Sequence, residues 1–355
     1  MMRTDTLRLR IPDTAAGLNA RQLVTHPETL NDRRRESARP RDLATLSGSE
    51  HLGFGFGRMQ WDRLASVVSL DVSAKALGDL YPDGITARNL DALAAGLNRS
   101  GLVRLAPDAL ASAEVQWADV TVNLPVGDAA LADDFDALRI LRTNLRHKLT
   151  DQAPRGRSLT WKGSGKLKGH NLNAYDMGAN LWSPKQRDFA RTLSREAFKR
   201  CEGVARFERQ ARGPARVKHY LAHAVQGRPA MLAEVLSSDR APVAELFDSV
   251  RGHTGQRELF SRSDDLAEAF GLPPGKQLVS SIYRRIGIES VCANLAWDFA
   301  AVRDWLRQYG GAKASELYDE ARDLIEAHAA GPDGEKHARL FARLDALAAA
   351  LRAAD

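Results

Sequence analysis

Apolar side chains recur at every second position in several short stretches and at every third or fourth position in longer ones. These periods predict strands and helices respectively. Leu7, Leu9 and Ile11 alternate with polar neighbours and predict an opening strand; Val67 to Val72 predicts another. In Gln116–Asn123, Ala118, Val120 and Val122 share one face, opposite Asp119, Thr121 and Asn123. In Asn171–Tyr175, Leu172 and Ala174 stand opposite Asn171, Asn173 and Tyr175, and in Val204–Gln210, Ala205 and Phe207 stand opposite Arg206, Glu208 and Gln210. Helical spacing runs from Thr86 to Leu97 through Leu90, Leu93 and Leu97, and from Asp133 to Leu149 through Phe135, Leu138, Leu141 and Leu145. Ser183 and Pro184 are cap and first-turn residues that open a helix ending near Gly203. Beyond Gly213 the pattern is helical, interrupted at Gly227-Arg228-Pro229, Pro273-Pro274 and Gly310-Gly311, with a last helix from Lys336 to Ala354 through Leu340, Leu344, Leu347 and Leu351. The chain therefore predicts an α+β fold: an antiparallel sheet with helices packed on one face, followed by a mostly helical C-terminal region. The expected division is 1–229 as one sheet-containing domain and 230–355 as a helical accessory region.

Composition narrows the class. The chain has 355 residues, 44% hydrophobic and 27% charged, which suits a globular protein. No apolar run approaches the roughly 20 residues that span a bilayer, and the first residues read as a strand and not as a signal peptide. A cytoplasmic protein with no membrane partner is the expectation. Cys201 and Cys292 are the two cysteines, which leaves no disulfide framework and no zinc site. The net charge of +6 conceals a segregation: Arg139 to Lys218 holds twenty Lys or Arg against six Asp or Glu, so the remainder of the chain is net −8. That is the footprint of a phosphate-binding surface. Aromatic residues make up only 6%, with no stacking cluster evident in the sequence, which disfavours an RNA-binding module.

The chemistry-bearing positions fall on the polar sides of the strands. If those strands pair, the Tyr175 hydroxyl and the Asp119 and Glu208 carboxylates converge on one surface. Such a set suits metal-assisted attack of tyrosine on a phosphodiester, with Asp119 and Glu208 as Mg²⁺ or Mn²⁺ ligands. Each residue also has a plainer role: tyrosine as a packing or hydrogen-bonding group, the acids as partners of Arg206 or Arg209. Lys162, Lys166 and Lys168 lie in a glycine-rich turn followed by His170, a basic hairpin tip suited to DNA contact; the Gly-x4-Gly-Lys spacing of a phosphate-binding loop is absent. Arg206 and Arg212 are further candidates for phosphate contact. Asn31 to Glu36 is an arginine-rich loop or DNA-contacting arm. His219 and His223 have the spacing of a zinc pair but no intervening His-Glu-x-x-His pattern, and no His-hydrophobic-His triplet occurs.

At these positions the chain resembles the replication-associated nicking protein of filamentous phages, the gene II protein family, and more loosely the plasmid and phage rolling-circle initiators whose metal is held by carboxylates. The resemblance runs in order through Leu7–Pro12, Ala44–Gly48, Ala118-Asp119-Val120-Thr121, Leu159-Thr160-Trp161 with Leu172–Tyr175, Gly203–Glu208, Tyr283-Arg284-Arg285 and the helix from Asp298 to Tyr309. It departs at Trp117, where relatives often carry arginine, at Asp176-Met177-Gly178, where some place a lysine, and in a shorter Ser47–Trp61 segment. The resemblance implies a rolling-circle replication initiator that nicks one strand of a double-stranded origin with Tyr175, forming a 5′-phosphotyrosyl intermediate, and later joins the ends. Its implied partners are the origin duplex, the displaced single strand, and the host helicase and polymerase. The alternative is a non-enzymatic DNA-binding regulator of replication or partition.

Overall fold

The computed structural model describes residues 2–19, 43–47, 53–140, 147–151, 158–163, 171–221, 228–252, 288–289, 291–292, 295, 298–309 and 314–354. Compactness divides the chain into two interleaved units. One comprises Met1–Asp128, Gly169–Ala244 and Leu351–Asp355; the other comprises Ala129–Lys168 and Glu245–Ala350. Residues 1–229 thus contribute to both units, which is not the single cut expected after residue 229.

The first unit is built on seven antiparallel strands. In chain order they are β1 (Thr4–Pro12), β2 (Leu43–Ser47), β3 (Phe56–Asp62), β4 (Val67–Ser73), β5 (Glu114–Pro125), β8 (Leu172–Asp176) and β9 (Val204–Arg212). The second unit supplies β6 (His147–Asp151) and β7 (Ser158–Gly163). Side by side, the first unit's strands lie in the order β2, β3, β4, β1, β5, β9, β8. The α+β class and the helical C-terminal region are as expected. Alternation explains the sheet: Leu7, Leu9 and Ile11 of β1, Val68, Leu70 and Val72 of β4, Ala118, Val120 and Val122 of β5, Leu172 and Ala174 of β8, and Ala205 and Phe207 of β9 are all buried. Helix Pro214–Tyr220 contributes buried Val217 to this unit, and Tyr220 lies under the Arg209 guanidinium, 4.0 Å from ring centroid to Cζ.

Register is set where β9 begins. Gly203 has φ +65°, and its carbonyl accepts hydrogen bonds from the backbone N–H of Val126 and Gly127 at 3.0 and 2.9 Å. A Cβ there would sit 2.9 Å from Gly127 Cα, so only glycine allows the two segments to approach this closely. β5 and β9 then pair without a shift from Pro125↔Val204 to Trp117↔Arg212. β1 is less regular: its pairing with β5 shifts between Thr4 and Thr6, a bulge that turns Asp5 toward the face carrying Asp119.

Two helix expectations are corrected. Of the segment Asp133–Leu149, the part up to Ile140 belongs to the helix Asp128–Ile140, but His147–Asp151 is the strand β6, paired with β7 from His147↔Gly163 to Asp151↔Leu159. The leucine spacing continued across the change because Leu149 satisfies either period. The helix expected from Ser183 to Gly203 is two short helices, Arg187–Ala190 and Arg195–Lys199. Thr192 Oγ1 donates to the Phe189 carbonyl at 2.7 Å, and Ser194 caps the second helix by accepting from Ala197 N at 3.2 Å. These polar side chains end one helix and start the other.

In the second unit, helices Phe299–Tyr309 and Ala314–Ala329 enclose a core of Val302, Trp305, Leu306, Leu317 and Ala321. Helix Pro332–Ala354 contains the predicted stripe, with Leu344 and Leu347 buried. Asp134 is held by Arg343, whose Nη2 also donates to the Ala130 carbonyl at 3.1 Å. Among the described residues no helix is long and apolar enough to cross a membrane.

Candidate active site

The polar faces of β5, β9 and β8 form one continuous surface because their registers align. Arg206 faces Asn123 on one side and Tyr175 on the other; Glu208 faces Thr121 and Asn173; Gln210 faces Asp119. Tyr175 and Glu208 are therefore diagonal neighbours, and the Tyr175 hydroxyl donates a hydrogen bond to Glu208 Oε1. Asn173 also hydrogen-bonds Glu208. Asp119 lies diagonally across the β5–β9 pair from Glu208, a placement that puts the two side chains roughly 7–8 Å apart at their bases. Its Oδ2 accepts from Arg212 Nη2 at 3.3 Å, while its Oδ1 is buried and has no hydrogen-bond partner among the described residues.

Arg206 organises the other end of this surface. It is 0% exposed, donates from Nε to Asn123 Oδ1 at 2.8 Å and from Nη1 to Asp5 Oδ1 at 2.8 Å, and lies 3.3 Å from the Tyr81 hydroxyl. Tyr81 comes from the 3-10 stretch Ala74–Asp83, which is tied down where Asn123 Nδ2 donates to the Pro82 carbonyl at 2.7 Å. Phe189 packs edge-on against Tyr81, with ring centroids 5.0 Å apart. The structure places Arg206 inside this cluster and not on the solvent-facing surface expected of a DNA phosphate contact.

Electrostatics follow from burial. Glu208 is 8% exposed, and loss of water, with Asp5 nearby, pushes its carboxyl up to about 7 against the opposing pull of Arg206, Tyr175 and Asn173. Asp119, 7% exposed, is pushed up to about 8 by burial, opposed by Arg212 and reinforced by Glu208 and Asp5. Burial, and next the Glu208 charge, raises the Tyr175 hydroxyl well above the usual phenol value. Burial disfavours the Arg206 charge, but Tyr81, Tyr175, Asp5 and Glu208 around it bind its proton more firmly. Three carboxyls thus share a small buried region with two guanidinium groups, and two of the three are driven toward neutrality.

That donor set fits a hard divalent cation. Such an ion is held by one or two carboxylates with waters and substrate phosphate oxygens completing the shell. Asp119 Oδ1, without a partner among the described residues, is an oxygen available to it, and the ion's charge would offset the burial and, secondarily, the neighbouring acids that raise both carboxyls. Among the described residues no group of three or more His, Cys, Asp or Glu side chains forms a ready-made metal cage. A two-carboxylate site that relies on substrate for its remaining ligands would not present one.

The same face extends toward β1, β4 and β3. Trp117, opposite Arg212, lies between the Arg212 and Arg8 guanidinium groups at 4.0 and 5.5 Å. A hollow of about 270 Å³ follows, lined by Arg8, Arg10, Arg58, Gln60, Asp62, Val67, Ser69, Asp71 and Gln116. Arg212, a candidate phosphate contact by sequence, is partly exposed and stacks on Trp117. Lys162 is exposed on β7, in the other compact unit. Lys166, Lys168 and His170 of the basic turn, the arginine-rich 31–36 stretch, His223, and Tyr283-Arg284-Arg285 lie outside the described residues.

Sequence reasoning missed Asp5 and Tyr81. Asp5 sits beside a bulge that defeats simple alternation, and Tyr81 belongs to a 3-10 stretch whose contacts with the sheet are long-range. It also missed an exposed aromatic: Trp182 is 66% exposed and packs edge-on against the half-buried Phe198 with centroids 5.4 Å apart. No protein-family model matches the chain, and comparison with curated proteins finds no significant match.

Proposed function

We propose that this protein is a rolling-circle replication initiator, an origin-specific DNA endonuclease that nicks and later rejoins one strand through Tyr175. The observation that carries the reading is the Tyr175 hydroxyl donating to Glu208 on a sheet face that Asp119 shares. In the nicking step the Tyr175 proton passes to Glu208, and the phenolate oxygen attacks the scissile phosphorus. The P–O3′ bond breaks with its electron pair on O3′, which takes up a proton from solvent. The products are a 5′-phosphotyrosyl link and a free 3′-hydroxyl. Bond energy is conserved in the ester, so attack by a later 3′-hydroxyl reverses the step and releases tyrosine. Asp119 and Glu208 would hold Mg²⁺ or Mn²⁺, whose chemistry here is to polarise a phosphate oxygen and offset the charge of the attacking phenolate.

The surrounding residues have matching roles. Arg206, locked to Asp5 and Asn123, places positive charge beside the tyrosine without being a phosphate contact. Arg212 supplies a partly exposed cation where the strand would enter, with the lysines of the 162–169 segment and His170 as further contacts. The origin duplex, the displaced single strand, a host helicase and polymerase, and a bacterial cytoplasm belong to this reading.

The test is a supercoiled plasmid carrying a candidate origin, incubated with purified protein and Mg²⁺. Relaxed circles with protein attached to the 5′ end support the proposal. Binding to origin DNA with no covalent adduct, at every divalent ion tried, would instead favour the regulator.

A further inference from the structure

We infer that Trp182 and Phe198 form a stacking platform for unpaired bases of single-stranded DNA beside the Tyr175 strand. A large aromatic ring left two-thirds exposed forgoes the stabilisation that burial would give it. Trp182 does this while edge-packed on Phe198, which holds the indole upright. Its position is fixed relative to β8. Asp176 ends that strand and caps the short helix Met177–Leu181 by accepting from Ala179 N at 2.9 Å, and Trp182 follows the helix. From Tyr175 to Trp182 the chain path is at most about 15 Å.

Charge identifies the occupant. The contact between Trp182 and Phe198 brings the turn after Trp182 together with helix Arg195–Lys199. Lys185, Arg187, Arg195 and Lys199 are exposed on these two segments and make no ion pair among the described residues, so they are open to a polyanion. An aromatic face bordered by unpaired cations is the combination that binds single strands without sequence preference: the rings take the bases and the cations take the phosphates. A closed duplex offers no base face to Trp182. This inference rests on the nicking proposal only for the identity of its DNA, and it deepens it by naming where the opened strand is held.

The test uses Tyr175→Phe protein, so that cleavage does not intrude and a failure of the nicking proposal leaves the result readable. A single-stranded ten-nucleotide oligomer should quench the tryptophan fluorescence of this protein. Adding Trp182→Ala should remove most of that quench and weaken binding about tenfold, with duplex affinity unchanged. Trp182→Phe should retain most of the affinity. Lys185→Gln with Arg195→Gln should lower the salt slope by roughly 0.7 for each phosphate left without its cation. Because the indole is exposed, circular dichroism and the melting temperature should be unaltered by Trp182→Ala. Equal single-strand affinity with and without the indole would overturn the inference. So would an equal loss of duplex binding, or concentration-dependent self-association that disappears in Trp182→Ala, which would make a second copy of the chain the occupant.

Discussion

Arg206 and Arg212 leave the same face of the same strand, yet their surroundings are opposite. Arg206 is wholly buried, with Asn123, Asp5 and Tyr81 around it. Arg212 is 38% exposed, stacks on Trp117 and holds Asp119 at 3.3 Å by one edge. One end of the face is a closed polar network around Arg206; the other is partly open at Arg212, beside Asp119, whose buried Oδ1 has no hydrogen-bond partner among the described residues, as is also true of Arg206 Nη2. Glu208 lies between them, and Tyr175, paired across the strands with Arg206, reaches it from the closed end. A reactive group placed at such a boundary gains rigidity from the closed side and access from the open side.

The sharpest way to break this comparison is Tyr175→Phe. It should lower nicking at least about 10⁴-fold, as loss of a catalytic nucleophile does, while origin binding measured by gel shift is retained. Unchanged nicking would move the chemistry elsewhere. Next in size is Arg206→Met, which leaves Asp5 as an uncompensated charge in the closed end and should cost about 3–5 kcal/mol in urea unfolding. Adding Asp5→Asn should return part of that loss; if the double variant is no more stable than the single, the sealed-network account fails.

The acids give the third prediction. A carboxyl whose folded value lies above its unfolded one keeps a proton that the unfolded chain has released. For Asp119, pushed up to about 8, stability should therefore be greatest at low pH and fall as pH rises through the interval up to about 8. Glu208, pushed from 4.5 up to about 7, adds a similar decline over a narrower interval within that range. The combined loss should be a few kcal/mol, and millimolar Mg²⁺ should restore much of it above pH 8. In Asp119→Asn the pH slope should flatten and the Mg²⁺ effect shrink; an unaltered Mg²⁺ effect would remove Asp119 from the ligand set. Smallest is Arg212→Gln. A partly exposed pair contributes less than about 1 kcal/mol to stability, but losing the cation should move the Asp119 titration upward, as followed by carboxyl carbon chemical shifts.

How far the sequence disclosed this site depends on the distance over which each contact acts. Tyr175, Glu208 and Asp119 were legible because alternation within three strands puts them on polar faces, and unshifted pairing keeps those faces together. Asp5 was not, since the bulge in β1 changes which face it meets. The role of Arg206 was misread because parity says only that a side chain leaves the polar face, not what covers that face; Tyr81, more than a hundred residues away, is the cover. The strand at His147–Asp151 was hidden by leucines compatible with a helix. Trp182 was hidden for the reverse reason, because a lone tryptophan in sequence gives no sign of exposure.

The glycine at position 203 has a further implication for how this surface could change over time. Since neighbouring rungs on a strand differ by side as well as by place, adding one residue between Gly203 and Arg206 would send phenylalanine and alanine outward and the acid inward, abolishing the chemistry at a stroke. Adding two would preserve sidedness and merely slide the acid about 6.6 Å along its neighbour. Length variation upstream of the acid should accordingly come in even steps, or be absorbed before the glycine.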